Sequence, residues 1–174
     1  MGRAVTSSSF AMALAVSVGA SAAAVNLLAD ATGIPVALQK AIPGKVMVYT
    51  LTLYDDNASV DVQEADHKEN IDRYHYRNGA FGKAVPVTMH GRYTQKDLDA
   101  AVFPLESIDF SLVPKMIVDA KQQLAMPDGK AGGLTLKSGR PHHQPYWHIG
   151  LSNDRHIGAV EYDLKGRKLT TFKK

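Results

Sequence analysis

One arrangement occurs twice along this chain, and it constrains the fold more than any other feature. Residues 34–51 read IPVALQKAIPGKVMVYTL and residues 113–136 read VPKMIVDAKQQLAMPDGKAGGLTL. Each passage opens with an aliphatic residue and a proline, continues as an amphipathic stretch, breaks at Pro-Gly-Lys or Pro-Asp-Gly-Lys, and resumes as an extended run. Pro35 and Pro114 suit a first helical turn, where a missing N–H costs nothing. Pro43 with Gly44, and Pro127 with Gly129, are stop signals. In the second passage Val113, Met116, Ile117, Ala120 and Leu124 recur at helical spacing. In the first, Val36, Leu38, Ala41 and Ile42 do so more loosely. A repeat of this length is one supersecondary unit used twice.

The residues that follow each passage also correspond. Ser59 to Ala65 and Tyr146 to Ser152 alternate with a period of two. Ile71 to Gly79 matches Gly158 to Gly166, each a strand running into a glycine turn. A last short strand is expected at Lys83 to Thr88 and again at Lys168 to Phe172. Strict alternation puts Val46, Val48, Thr50 and Thr52 on one face of the first strand and Met47, Tyr49, Leu51 and Leu53 on the other. A turn at Ser152–Arg155 sets Trp147 opposite Val160, Ile149 opposite Gly158 and Ala159 opposite His148, with Glu161 on the diagonal and Tyr162 in the core. Thr94 to Ala101 reads as a connecting helix, capped by Thr94 with Asp97 three residues on. The expected fold is α+β: two tandem helix-plus-antiparallel-sheet units, 25–90 and 109–174, joined by 91–108 and sharing one continuous sheet with the helices on one face.

Trp147-His148-Ile149, Val160-Glu161-Tyr162-Asp163, Gly166 and Leu169 together form an aromatic-x-aliphatic strand, an aliphatic-x-Asp strand, a glycine turn and an aliphatic. This pattern resembles the PepSY family. The first unit matches less closely, with Val60-Asp61-Val62, Asp72 to Tyr76, Gly79 and Val85; Tyr76 holds the place of the acid. In shape, the tandem units are similar to the β-lactamase-inhibitor-protein architecture. The resemblance implies a secreted or periplasmic binding module without enzymatic activity. PepSY units occur in propeptides that restrain secreted peptidases.

Composition and the first residues agree with export. Arg3 is followed by an apolar run from Phe10 to Gly19 and by small residues up to Ala24, the pattern of a cleaved signal over 1–24. That run is too short to cross a bilayer, and nothing later in the sequence is apolar enough to do so. The chain has 174 residues, no cysteine and a net charge of +3. Thiolate metal sites, a cysteine nucleophile and a lipid-linked cysteine are thereby excluded. The charge is too small and scattered for a nucleic-acid groove. The expected location is the periplasm or the exterior.

Motifs for chemistry are sparse. No Gly-x-Ser-x-Gly, His-Glu-x-x-His or phosphate-loop pattern occurs, so no catalytic residue and no cofactor is assigned. Asp61, Glu64, Asp66 and Glu69 lack the glycine and spacing of a calcium loop and read as a solvated segment. Aromatic and basic side chains on a free sheet face are the expected partner-binding set: Tyr49, Arg73, Tyr74, His75, Tyr76, Tyr146 and His148. The partner is expected to be another protein. The alternative is a metal or small-ligand site built from His142, His143, His148 and Glu161.

Overall fold

The computed structural model describes residues 26–89 and 94–174. The expected export signal lies outside them. In chain order the elements are α1 (Gly33–Ala41), β1 (Met47–Leu53), β2 (Ala58–Gln63), β3 (Ile71–Arg77), β4 (Ala80–Phe81), β5 (Val85–Pro86), α2 (Gln95–Ala101), β6 (Phe103–Pro104), α3 (Val113–Gln123), β7 (Lys130–Lys137), β8 (Tyr146–Ser152), β9 (Ile157–Asp163) and β10 (Lys168–Lys173). Ten strands form one antiparallel sheet in the order β10-β9-β8-β7-β1-β2-β3-β4, with β5 beside β3 and β6 beside β1. The described residues are thus α+β, with three α-helices and a large antiparallel sheet.

The helices stop and start through local chemistry. Thr94 caps α2: its hydroxyl accepts from the Asp97 N–H while the Asp97 carboxylate accepts from the Thr94 N–H, satisfying two donors that a helix start leaves free. Pro114 sits in the first turn of α3. α3 ends at Gln123, four residues before Pro127. Ala125 takes a left-handed conformation, φ 48°, and the Met126 N–H reaches back to the Lys121 carbonyl, a Schellman-type end formed without glycine.

One apolar core lies between the sheet and the pair α1 and α3. Ile34 and Leu38 supply it from α1; Val113, Met116 and Ala120 supply it from α3. The sheet contributes Val48, Leu51, Leu53, Val60, Leu134, Leu136, Trp147, Ile149, Val160 and Tyr162. Each buried Val, Leu, Ile or Met side chain here adds about 1.5–3 kcal/mol. Phe110 meets Trp147 edge-on at 6.4 Å. Trp147 Nε1 is the one buried side-chain polar atom without a hydrogen-bond partner among the described residues. The Tyr162 hydroxyl donates to Asp119 on α3 at 2.7 Å. Burial, reinforced by Asp119, pushes its pKa far above the usual tyrosine range, so it remains a donor. Lys173 Nζ donates to the Leu124 carbonyl at the end of α3, where the helix dipole favours a cation.

The second helix departs from the expected one-sided arrangement. Val62 points into the core, so the next residue, Gln63, faces the other way. Gln63 Nε2 bonds the Lys68 carbonyl and Asp99 of α2. Leu98 of α2 and Ile71 are buried outside the main cluster.

Three further expectations change. In β1 the register steps from Val48 opposite Val62 to Thr50 opposite Asp61, a bulge at Tyr49. The inserted residue breaks the alternation, so Val48 joins Leu51 and Leu53 in the core instead of facing away from them. Between β8 and β9 the turn is Asn153–His156. The Asn153 side-chain oxygen accepts from the backbone N–H groups of Arg155 and His156, and the backbone N–H of Asn153 donates to the His156 carbonyl. This moves the pairing by two residues, to Trp147 opposite Tyr162, Ile149 opposite Val160 and His148 opposite Glu161. A shift of two preserves the faces. Finally, the strand expected at Lys83–Thr88 is only β5, preceded by the two-residue β4 after the turn at Asn78-Gly79.

Two paired strands offer a test of this packing. A Cβ added at Gly158 comes within 2.7 Å of Leu124 Cδ2 and 2.9 Å of the Phe172 carbonyl oxygen, whereas one at Gly150 meets nothing within 4 Å. Gly158→Ala is expected to lower stability by about 1–3 kcal/mol, and Gly150→Ala to leave it unchanged or raise it by up to about 1 kcal/mol. Urea unfolding midpoints check both.

Candidate functional site

The sheet face turned away from α1 and α3, here the outer face, is built in cross-strand rows. One row reads Asp163, Tyr146, Lys137, Thr50, Asp61 and Arg73 across β9, β8, β7, β1, β2 and β3. The next reads Glu161, His148, Thr135, Thr52, Ser59 and His75 on the same strands. Alternation puts every core residue of these strands on the opposite side.

All four buried polar side chains among the described residues belong to this outer face: Asp61, Gln63, Glu161 and Asp163. A buried carboxylate is tolerated only when it is paired and hydrogen-bonded. Each of the three here has a base above it. Arg73 holds Asp61 with two parallel bonds, Nε at 2.6 Å and a terminal nitrogen at 2.7 Å. The guanidinium gains most from its hydrogen bond to Asp61, which raises its pKa further. Asp163 accepts from the backbone N–H groups of Lys165 and Arg167 and from the Arg167 guanidinium. Burial pushes the Asp163 carboxyl up, but these bonds outweigh it and hold the pKa below the ordinary value.

Glu161 is shared by two imidazoles. His142 Nε2 lies 2.6 Å from one carboxylate oxygen and His148 Nδ1 3.1 Å from the other. The loop between β7 and β8 folds back to deliver His142. The Tyr146 hydroxyl donates to the Arg140 carbonyl of that loop, and His142 meets the Tyr146 ring edge-on at 4.8 Å. Lys137 Nζ stands 5.7 Å from the centre of the Tyr146 ring, a cation–π contact. His143 stays exposed on the loop. The expected metal set is therefore divided: two histidines occupy different oxygens of one carboxylate and the third is elsewhere. Among the described residues no three His, Asp or Glu side chains are grouped to hold a metal ion.

The partner-binding set is divided too. Arg73, His75 and His148 are on the outer face, with His75 exposed. Tyr74 and Tyr76 fall on the helix-covered side, where Tyr76 is buried against Phe81 at 5.2 Å and Tyr74 packs on the core. The reason is register: β2 places Ala58 and Val60, both core residues, opposite them. Tyr146 is on the outer face but buried beneath the loop. Tyr49 marks the bulge in β1. Asp61, read from sequence as part of a solvated segment, is a buried strand residue.

The sequence pattern names Asp163 as the acid of the PepSY-like strand and puts Thr50 and Thr52 on one face of β1, but it assigns none of them to a site, and it does not single out Lys137, Arg167 or Thr135. Nor does it mark the trough beside them. Gly133 and Gly150 pair across β7 and β8 and leave the sheet bare of side chains there. Thr52, Tyr54, Thr135, His148, Ser152 and Ile157 surround that floor. The Tyr54 ring covers Gly133, within about 3 Å of where a Cβ would stand. The only sequence signal for the trough is a glycine at alternating positions in two adjacent strands.

No protein-family model matches this chain, and no curated protein matches it by sequence. Among solved structures it is similar to the crystal structure of a "putative lipoprotein" from Clostridium difficile 630, with a TM-score of 0.53 and 14% sequence identity over 83% of this chain and 91% of that one. At that identity the likeness is one of fold alone. No helix among the described residues is long and apolar enough to cross a membrane.

Asp163 provides a pH-dependent test of the buried acids. Its folded pKa is depressed, so it stabilises the fold fully at pH values above its unfolded pKa, and this contribution is lost as pH falls through its folded value. Asp163→Ala is expected to cost about 1–3 kcal/mol near neutrality, from lost charge-assisted bonds. The gap between variant and wild type should narrow progressively in urea unfolding as the pH falls below the ordinary aspartate value of about 3.8.

Proposed function

We propose that this chain is an exported, non-enzymatic binding protein of two PepSY-like units, 25–90 and 109–174, that engages another protein in the periplasm or outside the cell through the outer face of its sheet. The observation that carries this is the outer face itself. Thr50, Thr52, Ser59 and Thr135 lie partly exposed at the middle of a broad sheet, while α1 and α3 both pack on the other side. Antiparallel sheets commonly leave one face to solvent, and a rigid polar face with a recess is a fitting surface for a partner. The signal-like segment at 1–24 and the PepSY-like strand pattern support export and a binding role. Inhibition of a secreted or envelope enzyme by occlusion is the mode of action that the resemblance implies.

A residue that stands on this face without supporting the fold makes the test direct. A side chain added at Gly150 has open space, so Gly150→Tyr fills the trough from above. Val118 on α3 is 57% exposed and serves as the control, as Val118→Glu. Chemical cross-linking in an envelope extract is expected to capture a protein with wild type and Val118→Glu. Gly150→Tyr should lose that capture while its unfolding midpoint stays within about 0.5 kcal/mol of wild type. Equal capture by all three would reject the outer face as the binding surface.

A further inference from the structure

We propose that the outer face is an anion-reading surface whose partner contributes an acidic polypeptide segment. This rests on the binding role proposed above and adds the chemistry of the partner.

The argument begins with depth. The acids of the central rows, Asp61, Glu161 and Asp163, are buried, with side-chain exposures of 6–9%. The bases paired with two of them reach water: Arg73 is 43% and Arg167 75% exposed. Lys137 and His75 are exposed in the same two rows. Each pair is close to neutral in sum, yet an approaching molecule meets the basic member. At short range the nearer charge dominates, because Coulomb energy falls with distance and the buried partner lies beneath protein. The exposed acids near this face stand at its ends, Asp55 and Asp56 at the β1–β2 turn and Asp99 on α2. Between them runs a band of cations.

The band has the chemistry of carboxylate recognition. Arg73 and Lys137 are three strands apart, roughly 14 Å at ordinary strand spacing. Thr50, Thr52, Thr135 and Ser59 lie between with hydroxyls able to donate, and the Thr52 and Thr135 hydroxyls are 3.5 Å apart. Lys137 is positioned over the Tyr146 ring, and Arg73 is fixed by two bonds to Asp61. Cations held in place lose less freedom on binding than free ones. An anionic membrane is the weaker fit. Interfacial binding also needs a group of apolar side chains entering the lipid together, and the band's middle is hydroxyl-lined; the exposed apolar residues are spread around it, Tyr54 and Ile157 at the rim of the trough, Val85 beside Arg73 and Phe172 on β10.

Fluorescence anisotropy with labelled poly-L-glutamate tests the proposal, with labelled poly-L-lysine and phosphatidylglycerol vesicles as comparison probes. The full chain is expected to bind polyglutamate in preference to polylysine, more weakly as salt rises. Lys137→Gln should weaken binding by about 2–5-fold, the range for one exposed charge contact, and Lys137→Glu by more. Val118→Glu, on the helical side, should bind as wild type does. Binding of polyglutamate that is no tighter than polylysine, or is unchanged in Lys137→Glu, overturns the proposal. So does binding to the vesicles without binding to polyglutamate. The two readings fail separately. Capture lost in Gly150→Tyr without polyglutamate binding leaves a binding face of another chemistry. Polyglutamate binding that depends on Lys137, with capture indifferent to Gly150→Tyr, leaves the cationic band and removes the proposed partner surface.

Discussion

Four residue pairs join the two halves of the sheet. Thr50, Leu51, Thr52 and Leu53 of β1 lie opposite Lys137, Leu136, Thr135 and Leu134 of β7. Each half places its first long strand at this seam, so the strands that follow fan outward in opposite directions. Leu51 meets Leu136 and Leu53 meets Leu134 on the core side, which makes one apolar interior from two sets of strands and helices. On the other side the same pairs bring Thr50 to Lys137 and Thr52 to Thr135. Both outer rows depend on this seam. A slip of one residue there would exchange leucines for threonines on both sides at once, and burial of four leucines therefore fixes the outer surface to the same register.

The acids of that surface are held by a common device. A carboxylate on a strand of an open face can stay hydrated, or it can be covered. Here Asp61, Glu161 and Asp163 are covered, each by a base that the chain brings from an adjacent strand, a turn or a loop. Ion pairs of this kind do little for net stability, since desolvation offsets much of the attraction. Their geometric effect is larger. Arg73 and Arg167 are fixed over their acids, and His142 draws the β7–β8 loop onto the sheet. The folding problem of burying an acid and the shape of the solvent-facing surface thus have the same solution.

Much of this was legible in the sequence because it is written locally. Proline and glycine positions mark α1 and α3, Thr94 and Asp97 mark the start of α2, and period-two runs mark β2 and β8. What was not legible depends on partners. β3 carries Asp72, Tyr74 and Tyr76 on one side and Ile71, Arg73 and His75 on the other, two mixed sets of similar hydropathy. Only the pairing with Ala58 and Val60 decides that the tyrosines go inside. The bulge at Tyr49 and the Asn153 turn each shift register by side-chain and backbone geometry that residue type alone does not specify. Glu161 could be placed near His148 from its strand, but its second imidazole arrives through the fold of a loop.

The described chain enters and leaves at one rim of the sheet. The Leu27 N–H bonds the Asp55 carbonyl, next to Tyr54, and Lys174 exchanges backbone bonds with Ile157; Tyr54 and Ile157 both border the glycine-floored trough. Leu27, near the start of the described residues, and Lys174 thus both stand beside that trough. An affinity tag or fluorescent fusion that follows Lys174 would begin at its lip. Attachment through the exposed side of α3, on the far face of the sheet, is the arrangement that leaves the trough open.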